Sequence, residues 1–212
     1  MFRYSIRFQW QRMTLEEEGH FNIDWEDIDE RSVIWEIGGY EGHWALAMAE
    51  KYNPQLHIFE PQDWAADNAR RKLAGYNAQV YQFALWTYSG EMQIHNYGRD
   101  GASLVNFSVS DLHTIRTVDV YPFFVGVPPK DPVGQVDLCQ MNIEGGEFIL
   151  LPYMIGMGLM PYIKRFRCQW HPNLVPSAQE KWDRLKQMMD KTHELYWDYG
   201  NIAQEWKRRD MG

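Results

Sequence analysis

Apolar residues in this chain fall into short runs, and the best marked of them close on an acid or a glycine. Val33-Ile34-Trp35-Glu36-Ile37 has the length and near-continuous apolarity of a buried strand. Gly38-Gly39-Tyr40-Glu41-Gly42 makes a tight corner, and His43 to Lys51 follows at helical spacing until Asn53-Pro54 stops it. Gln55 to Glu60 predicts a second strand. Pro61 to Ala74 predicts a helix, with Pro in its first turn, Arg70, Arg71 and Lys72 near its end, and Gly75 as its stop. Ala78 to Ala84 reads as a third strand. Leu85 to His95, around Ser89-Gly90, reads as an extra hairpin on a sheet edge.

Periodicity fades between Asn96 and Pro132. Gly98, Gly101, Ser103, Ser108 and Ser110 mark the first part as a loop, and Pro122, Pro128, Pro129 and Pro132 punctuate the second. Val136 to Ile143 is the next strong strand, ending in Glu144-Gly145-Gly146-Glu147 ahead of a helix. Ile163 to Trp170 predicts another, closing on His171-Pro172. Ser177 to Lys191 is an amphipathic helix with Trp182, Leu185 and Met189 on one face. Glu194 to Tyr199 predicts a last strand, and Gln204 to Arg209 a frayed polar end. Residues 1–31 read as an N-terminal cap over one edge of the sheet, and 32–212 as one domain.

The alternation of strands and helices predicts an α/β fold with a doubly wound, mostly parallel sheet and helices on both faces. Ligands in such folds bind outside the carboxyl ends of the strands. Glu36 with Gly38, Glu60, Asn142 with Glu144, and His171 all fall there.

Composition narrows the classes. The 212 residues suit one full domain, 45% hydrophobic. A net charge of −8 argues against a nucleic-acid binder, which needs a basic face. Ten Trp and 15% aromatics fit a Trp-heavy core, an apolar or sugar-like ligand, or a homo-oligomer interface. Cys139 and Cys168 both sit in predicted core strands and are expected as buried free thiols. No signal peptide is visible in Met1 to Arg12. The longest uncharged stretch, Phe148 to Ile163, is broken by Pro and Gly, so no membrane span is expected and the chain reads as cytoplasmic.

The glycine order separates two ligand chemistries. Dinucleotide sites want Gly-x-Gly-x-x-Gly, which lets a helix start approach a pyrophosphate. Here the order is Gly-Gly-x-x-Gly with Glu36 ahead of it. A carboxylate there repels phosphate and suits a cation such as the sulfonium of S-adenosylmethionine; the alternative is an ordinary strand-to-helix turn. Glu60 can accept both ribose hydroxyls, or simply favour the following helix dipole. Phe83-Ala84-Leu85 offers a place for an adenine edge, or plain core. Asn142 can bind a substrate group but not a proton, whereas Glu144 can act as a base or, like Glu147, cap the next helix. His171 can orient or deprotonate a hydroxyl, or serve only structure. No zinc-type His/Cys spacing, phosphate-binding Gly-Lys-Ser/Thr loop or Gly-x-Ser-x-Gly elbow occurs, and no metal site is expected.

Six segments, in order, make the chain resemble the FkbM-type methyltransferases. Ser32 to Gly42 is similar to that family's opening motif, and Ile58-Phe59-Glu60-Pro61 to its Phe-Glu-Pro. Ala84-Leu85 matches the Ala-Leu before its hairpin, and Thr117-Val118-Asp119 its Thr-Leu-Asp. Asp137 to Glu147 resembles its Asp-Leu-x-Lys-Ile-Asp-Val-Glu-Gly-Ala-Glu, and Gln169 to Pro172 its Glu-x-His-Pro. Four positions depart: Tyr40 for Asn, Gln140 for Lys, Asn142 for Asp and Gln169 for an acid.

The resemblance implies a Rossmann-like methyltransferase fold, S-adenosylmethionine as cofactor and a hydroxyl of a sugar or secondary metabolite as acceptor. Glu36, Gly38, Gly39, Gly42, Glu60, Pro61 and Ala84 would hold the cofactor. Glu144 and His171 would be catalytic, and Asn142 and Trp170 would meet substrate, with the loop from Asn96 to Ser110 and the Trp-rich C-terminal part as cover. Two rivals stand beside an O-methyltransferase. A non-catalytic scaffold of the same fold is motivated by the neutral Gln140, Asn142 and Gln169. An NAD-dependent oxidoreductase is disfavoured by the glycine order and the missing Tyr-x-x-x-Lys pair.

Overall fold

The computed structural model describes residues 25–99, 101–105, 111–126, 136–199 and 202–209. Five parallel strands carry the main sheet: β1 (Val33–Ile37), β2 (Gln55–Phe59), β3 (Ala78–Tyr81), β7 (Val136–Met141) and β8 (Ile163–Gln169). Two more, β9 (His193–Tyr199) and β10 (Ala203–Arg208), complete it in the order β3-β2-β1-β7-β8-β10-β9, with β10 antiparallel to both neighbours. Every residue of β7 is buried, as expected for a parallel strand covered on both faces. Helices α1 (His43–Tyr52) and α2 (Asp63–Lys72) follow β1 and β2. Ile34, Leu56, Ile58 and Leu138 make one core with Ala45, Met48, Ala49, Ala66 and Ala69 of these helices. A second core gathers Trp35, Ile37, Phe59, Cys139, Met141 and Phe166 with α4 (Glu147–Gly156) and α5 (Ala178–Met189). The chain is therefore doubly wound, with helices on both faces.

Local signals set the boundaries. Asn53 takes the left-handed conformation (φ +49°) and returns its N–H to Ala49 O, and Pro54 follows. The helix after β2 starts at Asp63 rather than at Pro61. Both cysteines are free and buried. Among the described residues no helix is long and apolar enough to cross a membrane.

A second sheet departs from the sequence reading. It is built from β4 (Ala84–Trp86), β5 (Gly90–His95) and β6 (Leu112–Asp119), in the order β4-β6-β5. The third main-sheet strand ends at Tyr81, and residues 84–86 leave for this smaller sheet. The two runs read as a hairpin do not pair with each other. The stretch 112–119, read as loop, slots between them, parallel to β4 and antiparallel to β5. Residues 120–126 form a helix, α3 (Val120–Gly126), where a loop was also expected.

The C-terminal end departs too. Residues 203–208 are an interior strand, with Gln204, Glu205 and Trp206 almost wholly buried. On one sheet face, cross-strand register sets Glu36, Gln140, Arg167 and Glu205 in a row over four strands. Of the predicted N-terminal cap, residues 1–24 lie outside the described residues. Trp25 and Asp27 lie against the interior strands β8 and β10. Trp25 Nε1 donates to both oxygens of Glu205 (3.0 and 3.2 Å), and Arg165 bridges Asp27 and Glu205.

Candidate functional site

Strand order reverses between β1 and β7, and a cleft opens outside the carboxyl ends of β1, β2 and β7, at this switch point. Ile37, Gly38, Tyr40, Phe59, Glu60, Pro61 and Gln62 line one side. Asn142, Ile143 and Glu144 line the other, under Ala84, Leu85, Trp86, Ile94, Gly101, Ala102 and Leu104 from the second sheet and its loop.

The three glycines of the corner do three different jobs. Gly38 (φ +87°) lines the cleft where the backbones after β1 and β7 meet; a Cβ there would lie 1.9 Å from Asn142 O. A Cβ on Gly39 would strike Ile58 Cγ2 at 2.1 Å. Gly42 (φ +74°) lets α1 start against Ala69 of α2. Gly39 and Gly42 thus serve packing behind the cleft rather than its surface.

Glu60 is the best-placed carboxylate. It is buried, and its Oε2 accepts from Tyr40 N and its Oε1 from Gln62 N, both at 2.9 Å. Tyr40, left-handed at φ +45°, is held in this turn by that bond and packs edge-on against Trp64. Gln62 ties the end of β2 to the loop after β5: its Oε1 accepts from Gly98 N (2.7 Å) and its Nε2 donates to Arg99 O (3.4 Å).

Glu36 does not line the cleft. Its side chain is buried beneath the corner, near Gly39, and Oε2 has no hydrogen-bond partner among the described residues. Burial first, then the charge of Glu60, push its carboxyl well above the usual carboxylate range. The neutral amide of Gln140, in register beside it on β7, supplies no counter-charge.

At the β7 end a histidine sits between two acids. His171 Nδ1 lies 3.0 Å from Glu147 Oε1, and Nε2 lies 3.2 Å from Glu144 Oε1, the latter an ion pair rather than an aligned hydrogen bond. Burial lowers the imidazole's affinity for a proton, but the close contacts and charges of Glu144 and Glu147 outweigh it and raise the pKa to about 10. His171 is therefore an imidazolium at neutral pH and cannot take a proton. It lies behind Glu144, off the cleft, which corrects its reading as a base. Glu147, wholly buried, caps the turn by accepting from Ile143 N and Gly145 N (both 2.8 Å). Glu144 (φ +53°) faces the cleft, and its carbonyl accepts from Ser103 Oγ (2.6 Å). Asn142 Oδ1 is buried without a hydrogen-bond partner among the described residues.

Pro61 and Ala84 line the cleft as expected, whereas Phe83 belongs to a ring cluster with Phe59, Tyr81 and Phe123. Trp170 is a second correction. It is buried in the core against Phe148 and Trp206, with Nε1 donating to Gln204 Oε1 (2.9 Å), and none of the described C-terminal residues lines the cleft. The sequence reading missed Tyr40, Gln62, Trp86 and Ile94 as lining residues, while Leu104 falls in the loop from Asn96 to Ser110 that it expected as cover. The signal of Trp86 and Ile94 was weak because they sit on the small sheet, whose middle strand reads as loop.

No protein-family profile matches the chain, and no curated protein matches it. Solved structures do. A putative rRNA methylase from Clostridium thermocellum is similar over 85% of this chain and 88% of its own (TM-score 0.52, 11% identity). An rRNA methylase from Streptococcus thermophilus is similar over 85% and 89% (TM-score 0.50, 9% identity). The METTL16 MTase domain is similar over 86% of this chain (TM-score 0.50, 12% identity), which spans 61% of that domain. At these identities the likeness shows the Rossmann-like methyltransferase fold.

Proposed function

We propose that the chain is an S-adenosylmethionine-dependent methyltransferase acting on a hydroxyl of a small molecule. The charge of the cleft carries this reading. Glu60 and Glu144 face it, and among the described residues no Lys or Arg does. Such a site favours a sulfonium and an ammonium and offers nothing to a pyrophosphate. The methyltransferase fold and the FkbM-type segments support the same cofactor, and membership of that family belongs to this proposal.

The residues present fit the cofactor. Glu60, oriented by two backbone amides, has the chemistry to accept from ribose hydroxyls. Gly38 leaves the β1–β7 gap clear. Pro61 and Ala84 complete the wall, while Glu36, Gly39 and Gly42 hold the corner from behind. When bound, the cofactor supplies an electrophilic methyl group on a positively charged sulfur. The chain's own part is to bind and orient the acceptor and to receive its hydroxyl proton at Glu144, which His171 holds in place.

Calorimetric titration with S-adenosylmethionine and, in parallel, NAD tests the proposal. Saturable S-adenosylmethionine binding that Glu60→Ala weakens supports it; NAD binding in its place overturns it. Binding of neither favours the scaffold reading, which the neutral Gln140, Asn142 and Gln169 motivate.

A further inference from the structure

The acceptor end of the cleft is built for a particular kind of hydroxyl. His95 and Ser103 exchange backbone hydrogen bonds (2.8 and 3.0 Å), and Ser103 Oγ anchors the loop to Glu144 O (2.6 Å). This brings Ile94, Ala102 and Leu104 over Ile143 and Glu144. Trp86 closes the same corner: a Cβ on Gly146 would lie 3.0 Å from its Cζ3. Among the described residues the walls here are apolar and aromatic, and the polar groups are Glu144 and Asn142, whose Oδ1 has no hydrogen-bond partner among them. Gln62 on the opposite side spends its side chain on Gly98 and Arg99.

From this we infer that the acceptor is a small, flat, apolar molecule bearing a phenol-like hydroxyl, an inference that rests on the methyltransferase reading above. A sugar carries several hydroxyls that these walls would leave unpaired. A nucleic acid brings phosphates, and among the described residues the cleft offers them no cation, while the chain carries a net charge of −8. Acidity agrees with shape. The group that faces the acceptor is a carboxylate, which takes a proton far more readily from a phenol, with a pKa of about 10, than from an aliphatic alcohol. In the reaction the phenol oxygen bonds to the methyl carbon as the carbon–sulfur bond breaks. The electron pair stays on sulfur, and the hydroxyl proton passes to Glu144.

The test is a calorimetric titration of the full chain, saturated with S-adenosylhomocysteine, using naphthol, methyl glucoside and a short oligoribonucleotide as probes. Naphthol is expected to bind at least about tenfold tighter than either of the others. Leu104→Ala is expected to weaken naphthol about fivefold while S-adenosylhomocysteine affinity stays within about twofold. Equal or tighter binding of the glucoside or the oligonucleotide overturns the inference, as does no binding of naphthol. The preceding S-adenosylhomocysteine titration reports separately on the cofactor: naphthol failing while that titration saturates sinks only the acceptor class. Melting temperature of Leu104→Ala shows that its effect is not unfolding, and Ala102→Asp, at the same wall, must also weaken naphthol.

Discussion

At the β2 end of the cleft Glu60 takes its position from two backbone amides, those of Tyr40 and Gln62. At the β7 end Glu144 takes its position from an imidazolium, itself bonded to Glu147. Backbone N–H groups do not titrate over the working range of pH, so the first carboxylate is fixed as long as the turn is folded. The second is fixed only while His171 holds its proton. One end of the cleft is set by geometry, the other by charge, and the two should answer differently to mutation and to pH.

The largest difference is expected from His171→Ala, which leaves Glu147 buried without its counter-charge. Breaking a buried pair costs about 3–5 kcal/mol, and urea unfolding should show a loss of that order. The pH dependence comes next and has a definite sign. The folded pKa of His171, about 10, lies above its ordinary value of 6.5. The stability it contributes is therefore full below pH 6.5 and is lost as pH rises toward 10. Unfolding free energy should fall across that window in the wild type, and the fall should shrink in His171→Ala. Glu60→Ala should lower S-adenosylmethionine affinity about 100-fold, roughly 2.7 kcal/mol, with little change in this pH profile. A variant that alters the profile as His171→Ala does would erase the distinction between the two ends. Gln62→Ala is the smallest of the four. It removes the bond from Gly98 N, worth about 1 kcal/mol, and faster hydrogen exchange at that amide is the readout.

The same contrast explains what was legible in the sequence. The units around β1, β2, β7 and β8 announce themselves, because strands buried on both faces need apolar runs and their ends need Gly, Pro or Asn. Glu60 and Glu144 were visible as acids closing such runs. β6 was not visible: four of its eight residues are exposed, so Leu112 to Asp119 has no apolar run to show. β10 was hidden for the opposite reason. Gln204 and Glu205 are fully buried, but what makes that tolerable lies far away in sequence, at Trp25, Arg165, Trp170 and Trp182. His171 was legible as a strand-end histidine, and its chemistry was not, since two carboxylates brought by the fold decide its protonation. Trp170 misled for want of a facing residue, Gln204, that only the sheet order supplies.

The place of β10 also bears on how the protein is made. Among the described residues the strand is the last of the seven in sequence, yet it sits between β8 and β9 and is the only partner of β9. A nascent chain can lay down β1, β2, β3, β7 and β8 side by side as each leaves the ribosome. β9 then emerges with no neighbour to pair with, and Arg165 waits without the carboxylate of Glu205. Only when residues 203–208 arrive does β9 gain its neighbour and Arg165 its second carboxylate beside Asp27, so one end of the sheet closes late.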